Sequence, residues 1–312
     1  MATTRPYRFC VQVQMFNVDN FILPMLENCG PHVERIYVAR SEKPWGYNRE
    51  ARERIKNPTP VSLLDQSPWR DKITLIEGEW ETDHAQRNAL LERAIADGMD
   101  YMIVQDADEF YQHEDFQHNL RVIAENPDYD AYGVRWYVFW KDVRHIITDR
   151  YGRPMDDGWI NFAVNCHGKM KFDHMRFTTA KDLKIFPGYL PGPAHHLSYV
   201  MSDEVMLNKL STWSHTNDFD WRSWYEKVWL KWWPGRWHLA PVKPWHWARA
   251  VPFKGLLPEV LKDFQGPEVT SHMPTFGERL LNELRGRLTL IYYKAKMPLY
   301  FMRKRLRSRT KR

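Results

Sequence analysis

Hydrophobic and polar positions alternate first at Phe9 to Phe16 (FCVQVQMF), where β-branched and aromatic residues predict a strand. Asn17-Val18-Asp19-Asn20 then offers helix-capping residues, and an apolar stretch runs on to Gly30, with Pro24 making this helix start late or kink. Arg35 to Ala39 predicts a second short buried strand. Residues 41 to 71 hold four prolines and many charges and read as an excursion of loop and short helix. Ile73 to Ile76 gives a third strand. Asp83 then reads as a helix cap, with Gln86 completing a capping box, Leu90, Leu91, Ala94 and Ile95 as the apolar face, and Gly98 closing the helix. Tyr101 to Val104 is a fourth strand, apolar throughout and so buried on both faces. This order predicts an α/β fold with a doubly wound, mostly parallel sheet. Ligands in such sheets bind at the carboxyl ends of the strands, where Asn17, Arg40 and Asp106 fall.

From Tyr129 onward the pattern turns aromatic, with strands expected over 132–140 and 168–172. Helices are expected over about 203–210 and 221–233, the second placing Trp221, Trp224, Tyr225, Val228, Trp229 and Trp232 on one stripe. The Pro-rich stretch 241–274 reads as irregular, and residues 277 to 302 as a long basic amphipathic helix.

Composition modifies this picture in three places. Hydrophobic residues make up 43% and charged residues 27% of the 312, the balance of a folded chain rather than a disordered one. The net charge of +6 is a tail effect: Arg303 to Arg312 hold seven Lys or Arg and no acid, leaving the rest near neutrality. That excludes a nucleic-acid groove spread over the domain, and no nucleic-acid partner is expected. Three separated cysteines imply neither a disulfide framework nor a zinc cluster, and fit a reducing compartment. The N-terminus leads almost directly into a strand without an apolar signal segment, and no window approaches the roughly 18 to 20 apolar residues of a membrane span. A cytoplasmic protein is expected, with peripheral membrane contact through the basic C-terminal helix.

The chemistry centres on Asp106-Ala107-Asp108-Glu109, where a buried strand ends in an acidic turn. Paired carboxylates on a rigid edge suit Mn²⁺ or Mg²⁺, which take one or two carboxylates together with substrate phosphates. Such an ion offsets the charge of a leaving diphosphate. The bland alternative is a solvated cap for the next helix, served by Asp108 or Glu109.

Gln86-Arg87-Asn88, the helix ending at Gly98, and Asp100 to Phe110 (DYMIVQDADEF) resemble the central segment of the family 2-like glycosyltransferases with a GT-A fold. The Asp-Ala-Asp-Glu form is also similar to the bisecting N-acetylglucosaminyltransferase family. Both resemblances extend to His195-His196-Leu197-Ser198-Tyr199, Lys209 and Ser214-His215, covering roughly residues 7 to 216. The chain departs from the family after the second strand, where Ala39-Arg40-Ser41 replaces a nucleotide-binding Asp.

The resemblance implies a metal-dependent, inverting glycosyltransferase that moves a sugar from a nucleotide-sugar donor to a saccharide or lipid-linked saccharide acceptor. Asp106, Asp108 and His196 would hold the metal, with His195 the adjacent alternative. Asn17, Arg40, Arg87, Asp106, Lys209 and His215 would contact the nucleotide sugar, Arg87 aided by the helix N-terminus. Lys209 is equally an exposed helix lysine, and Asn17 equally a cap. For the general base the sequence offers Asp156, Asp157, Asp182, Asp218 and Glu109; Asp157, beside Trp159, is favoured, with Glu109 retained. Nine of the fifteen Trp lie between positions 213 and 247, and the stripe there reads as core or interface before sugar platform. Trp136 and Trp140 are the better acceptor candidates. The implied layout is a GT-A-like domain over 1–240, with a nucleotide-sugar half (1–110) and an acceptor half (111–240), and a C-terminal extension over 241–312. The competing functions are a nucleotidyltransferase and a non-catalytic carbohydrate-binding protein on the same fold.

Overall fold

A computed structural model describes residues 6–154, 156–241, 247–269 and 271–309, with the side chains of 156–157 and 297–309 outside that description. The elements are β1 (Phe9–Met15), α1 (Ile22–Cys29), β2 (Arg35–Arg40), α2 (Arg49–Arg54), β3 (Ile73–Glu77), α3 (Asp83–Ala96) and β4 (Tyr101–Val104). They continue with β5 (Glu109–Phe110), α4 (His113–Glu125), β6 (Ala131–Trp140), β7 (Asp142–Asp149), β8 (Asp156–Asn165) and β9 (Ala194–Tyr199). The chain ends with α5 (Asp203–Thr212), α6 (Trp221–Trp224), β10 (Trp247–Pro252) and α7 (Phe276–Arg309).

The fold is α/β. Strands β3-β2-β1-β4 pair in parallel, and β8, β6, β7 and β10 extend the sheet antiparallel beyond β4. Alternation along β1 sorts its two faces. Val11, Val13 and Met15 pack with α1 residues Ile22, Met25 and Leu26, while Cys10 joins Leu90, Leu91 and Ala94 of α3. Helices therefore cover both faces, as a doubly wound sheet requires. The chain passes from β1 outward to β3 and returns to β4 on the other side of β1. The topological switch point thus lies between β1 and β4, where ligands of such sheets bind.

Several local expectations shift for identifiable reasons. Pro24 is accommodated at the third position of α1, where its missing N–H would have no helical partner. Thr82, not Asp83, caps α3, its side chain accepting from the Ala85 N–H at 3.2 Å. Gln86 completes no capping box; it is buried and bonds Gln14, Trp45 and the Ala39 carbonyl instead. Ile95 is 44% exposed and stands outside the apolar face of α3. Gly98 closes that helix with a φ of 69°, a left-handed turn that glycine adopts without steric cost. Residues 168–172 form no strand. The helix expected over 221–233 ends after α6 and a single wider turn (Tyr225–Trp229). Within 241–274, β10 pairs antiparallel with β7 at the sheet edge. Trp224, Trp229 and Trp232 are buried with Trp140 in one cluster, the core role expected of that stripe.

Candidate functional site

Strand β5 fixes the acidic turn. It pairs antiparallel with β9, setting Glu109 opposite His196 and Phe110 opposite His195, and the Leu197 N–H donates to the Asp108 carbonyl at 2.7 Å. Because side chains alternate along β9, the two adjacent histidines face opposite ways. His196 turns to a cavity of about 550 Å³ at the switch point. His195 turns into the core among Tyr137, Phe139 and Phe253, where burial lowers its pKa from 6.5 to about 4. It is therefore a structural histidine, and the metal alternative at His195 is set aside.

The cavity is lined by the end of β1 (Gln14, Phe16), the start of α3 (Asp83, Arg87), the turn (Asp106, Asp108), and His196, Lys209 and His215. Asp106 Oδ1 accepts from Arg87 Nη2 at 2.7 Å, and its Oδ2 faces Arg176 Nη1 at 3.4 Å. Asp108 lies between Lys209 Nζ at 3.2 Å and His196 Nε2 at 3.5 Å. Burial works against ionisation of both carboxylates, but Arg87 and Arg176 hold Asp106, and Lys209 and His196 hold Asp108, below the usual carboxylate range. Lys209 is fixed by Ser198, whose Oγ accepts at 2.7 Å, so it is not the free surface lysine of the bland reading. His215 Nδ1 lies 2.6 Å from Asp218, which orients the ring at the cavity wall.

Asp106, Asp108 and His196 share one wall, a donor set of the kind that Mn²⁺ or Mg²⁺ accepts when substrate phosphates complete the shell. Every oxygen of the two carboxylates already faces a basic nitrogen, and among the described residues no group of three acidic, His or Cys side chains forms a ready metal site. A cation would fit here only together with a ligand such as a diphosphate that completes its shell.

Other expected residues are distributed unevenly. Trp136 lines the cavity, stacked on the His196 ring at 4.2 Å and 2°. Trp140 does not line it: the residue is fully buried, covered by Tyr199, Trp224 and Trp229, and cannot meet an acceptor. Arg40 is drawn to the sheet edge by Glu42 at 3.1 Å and Glu77 at 3.4 Å, away from the cavity. Asn17 has a φ of 55° at the end of β1 and lines an adjoining cavity of about 120 Å³ beside Asp108 and Lys209. Glu109 is wholly buried and clamped by Arg176, so it cannot reach an acceptor hydroxyl as base. Asp156 and Asp157 lie in β8 rather than in a loop, and their side chains lie outside the described residues. Asp182 is exposed and away from the cavity lining.

Gln14, Trp45, Asp83 and Arg176 are among the cavity residues that the sequence did not mark as functional. Gln14 donates to the Asp83 carbonyl at 2.8 Å and to Gln86 at 3.0 Å, a buried polar row that strand alternation could have exposed. Asp83 accepts from the Tyr47 hydroxyl at 2.7 Å, and Trp45 donates to Gln86 at 2.9 Å. Arg176 sits in an irregular segment with no local pattern to mark it. The Nε and Nη1 of Arg87 and the indole nitrogens of Trp136 and Trp213 are buried without a protein partner. Such donors are costly unless water or a ligand takes them up.

No family model matches the chain, and no curated protein matches it. Among solved structures it is similar to S. aureus TarS residues 1–349, at 12% identity over 66% of each chain with a TM-score of 0.39. The same protein in complex with UDP aligns at 14% identity and a TM-score of 0.29, over 43% of this chain and 36% of that one. A mannose-1-phosphate geranyltransferase from Thermus thermophilus aligns at 15% identity over 52% of this chain and 50% of that one, with a TM-score of 0.28. The chain thus spans about a third of the length of the UDP-complex chain.

Proposed function

We propose that this chain is a glycosyltransferase that uses a nucleotide-sugar donor and seats the donor diphosphate at the β1–β4 switch point. The observation that carries the reading is Arg87. Its side chain is buried near the N-terminal end of α3 beside the cavity, its Nη2 donates to Asp106, and its Nε and Nη1 have no protein partner. A guanidinium with donors left unfilled, near a helix N-terminus on the cavity lining, suits a phosphate. Lys209, held on Asp108, adds a positive charge to the cavity lining, His215 adds a ring nitrogen, and the cavity has the size of an ordinary small-molecule site. Asp106, Asp108 and His196 would hold Mn²⁺ or Mg²⁺, which would supply further neutralisation of the diphosphate charge. Trp136 supplies an aromatic surface for the saccharide or glycolipid acceptor.

The test is a panel of nucleotide sugars assayed for binding and hydrolysis with and without Mn²⁺ or Mg²⁺, reading nucleoside diphosphate, beside a parallel panel of nucleoside triphosphates with sugar 1-phosphates, reading pyrophosphate. The proposal expects nucleoside diphosphate, and donor binding roughly tenfold or more weaker in Arg87→Met, the loss of about one charge-assisted contact. Pyrophosphate as the product would instead establish a nucleotidyltransferase.

A further inference from the structure

Helix α7 docks with its polar side inward. Asn282 Oδ1 accepts from the Trp237 backbone N–H at 2.9 Å, and Glu283 Oε2 accepts from the Trp237 indole at 2.8 Å. Gly286 sits so close that a Cβ there would fall 2.0 Å from the Trp237 ring. One turn on, Thr289 meets His238, and Tyr293 packs edge-on against Tyr151. These contacts lie on one side of the helix, at the spacing of 3.6 residues per turn.

The apolar residues lie on the other side. Leu280, Leu281, Leu284, Leu288, Ile291 and Tyr292 are each between 51% and 65% exposed. Single exposed leucines need no explanation, but a continuous row over three turns does. An ordinary surface helix buries that face and exposes the polar one.

Charge identifies the occupant. By helical spacing, Arg285 and Lys296 flank the row on one side, and Arg287 and Lys294 on the other. From Phe276 to Arg312 the sequence has twelve Lys or Arg and two Glu, whereas the preceding 275 residues have 33 and 37. Both glutamates are engaged, Glu278 by Thr275 and Glu283 by Trp237 and Arg287. A second copy of the helix would set like charge against like. We propose that α7 lies in the interface of an anionic bilayer, its Leu280–Tyr292 row in the headgroup–acyl boundary and its flanking Arg and Lys on lipid phosphates. Among the described residues no helix is long and apolar enough to cross a membrane, so this is attachment along the surface.

The test is co-sedimentation of the full chain with phosphatidylcholine vesicles, with and without phosphatidylserine, and light scattering of the free protein. The expected result is binding at least roughly tenfold stronger to the anionic vesicles, weakening as salt is raised. Leu284→Glu with Leu288→Glu should abolish it, and Arg285→Glu with Lys294→Glu should remove the preference for anionic lipid. All four residues are exposed, and unchanged circular dichroism would show that the variants fold. Absence of binding to anionic vesicles, or undiminished binding by the Leu284→Glu/Leu288→Glu variant, overturns the proposal. So does a dimer that this variant dissociates while the parent ignores vesicles.

Discussion

Replacing Arg176 with Met should destabilise the protein severely, and a second change in Glu109 should relieve much of the damage. The Glu109 carboxylate is 1% exposed and the Arg176 guanidinium 7%. Arg176 engages both oxygens of Glu109, donates to the carbonyls of Val104 and Asn161, and reaches Asp106 at 3.4 Å. Without it, the Glu109 carboxylate keeps, among the described residues, only a long contact from the Asp106 N–H at 3.4 Å. An uncompensated buried charge of this kind costs roughly 3–5 kcal/mol, and the abandoned carbonyls add to that. For a chain of this size that corresponds to a fall in melting temperature of roughly 5–8 °C. Glu109→Gln removes the stranded charge, so in a double-mutant cycle the pair should be coupled by about 2 kcal/mol or more. Urea unfolding of the four proteins at neutral pH measures it. A loss under about 1 kcal/mol for Arg176→Met, or additive single effects, would refute the view that this ion pair anchors the acidic turn.

Burial holds the His195 imidazole at a pKa of about 4 against an ordinary 6.5, so acid favours the unfolded chain. Its contribution is intact above pH 6.5 and is lost as pH falls toward 4, by roughly 3 kcal/mol in all. His195→Phe should flatten that slope in urea titrations across this range, leaving the part due to His32, which is lowered to about 4 in the same way. Trp140→Ala should cost roughly 3–5 kcal/mol of stability, whereas Trp136→Ala should spare stability more and weaken acceptor use, read as a rise in KM. Gly286→Val should drive a side chain into Trp237 and undock α7, seen as faster proteolysis after Lys294 or Lys296.

The first four strands, their helices and the switch point were legible because burial on both faces and helix periodicity write themselves into local sequence. The acidic turn was legible for the same reason. What decides the function of its neighbours was not local. His195 and His196 are equivalent in sequence, and only the two-residue period of β9 separates a core imidazole from a cavity one. Trp136 and Trp140 lie on one face of β6, yet Trp224 and Trp229, more than eighty residues on, cover Trp140 alone. Arg40 ends a strand at the right edge, but Glu77 of the neighbouring strand claims it. Arg176 reaches Glu109 from 67 residues away out of a segment without periodicity. The apolar stripe of α7 was plain, but that it faces outward follows only from the docking of Asn282, Glu283 and Gly286 on Trp237.

The cavity walled by Arg87, Asp108 and Lys209 is proposed to take a nucleotide-sugar diphosphate. Calorimetric titration of the parent, Arg87→Met and Lys209→Met with the nucleotide sugar found by the panel tests it most directly. One site per chain is expected, roughly tenfold weaker in each variant, with circular dichroism showing that both variants fold. Equal affinity in all three proteins would contradict it.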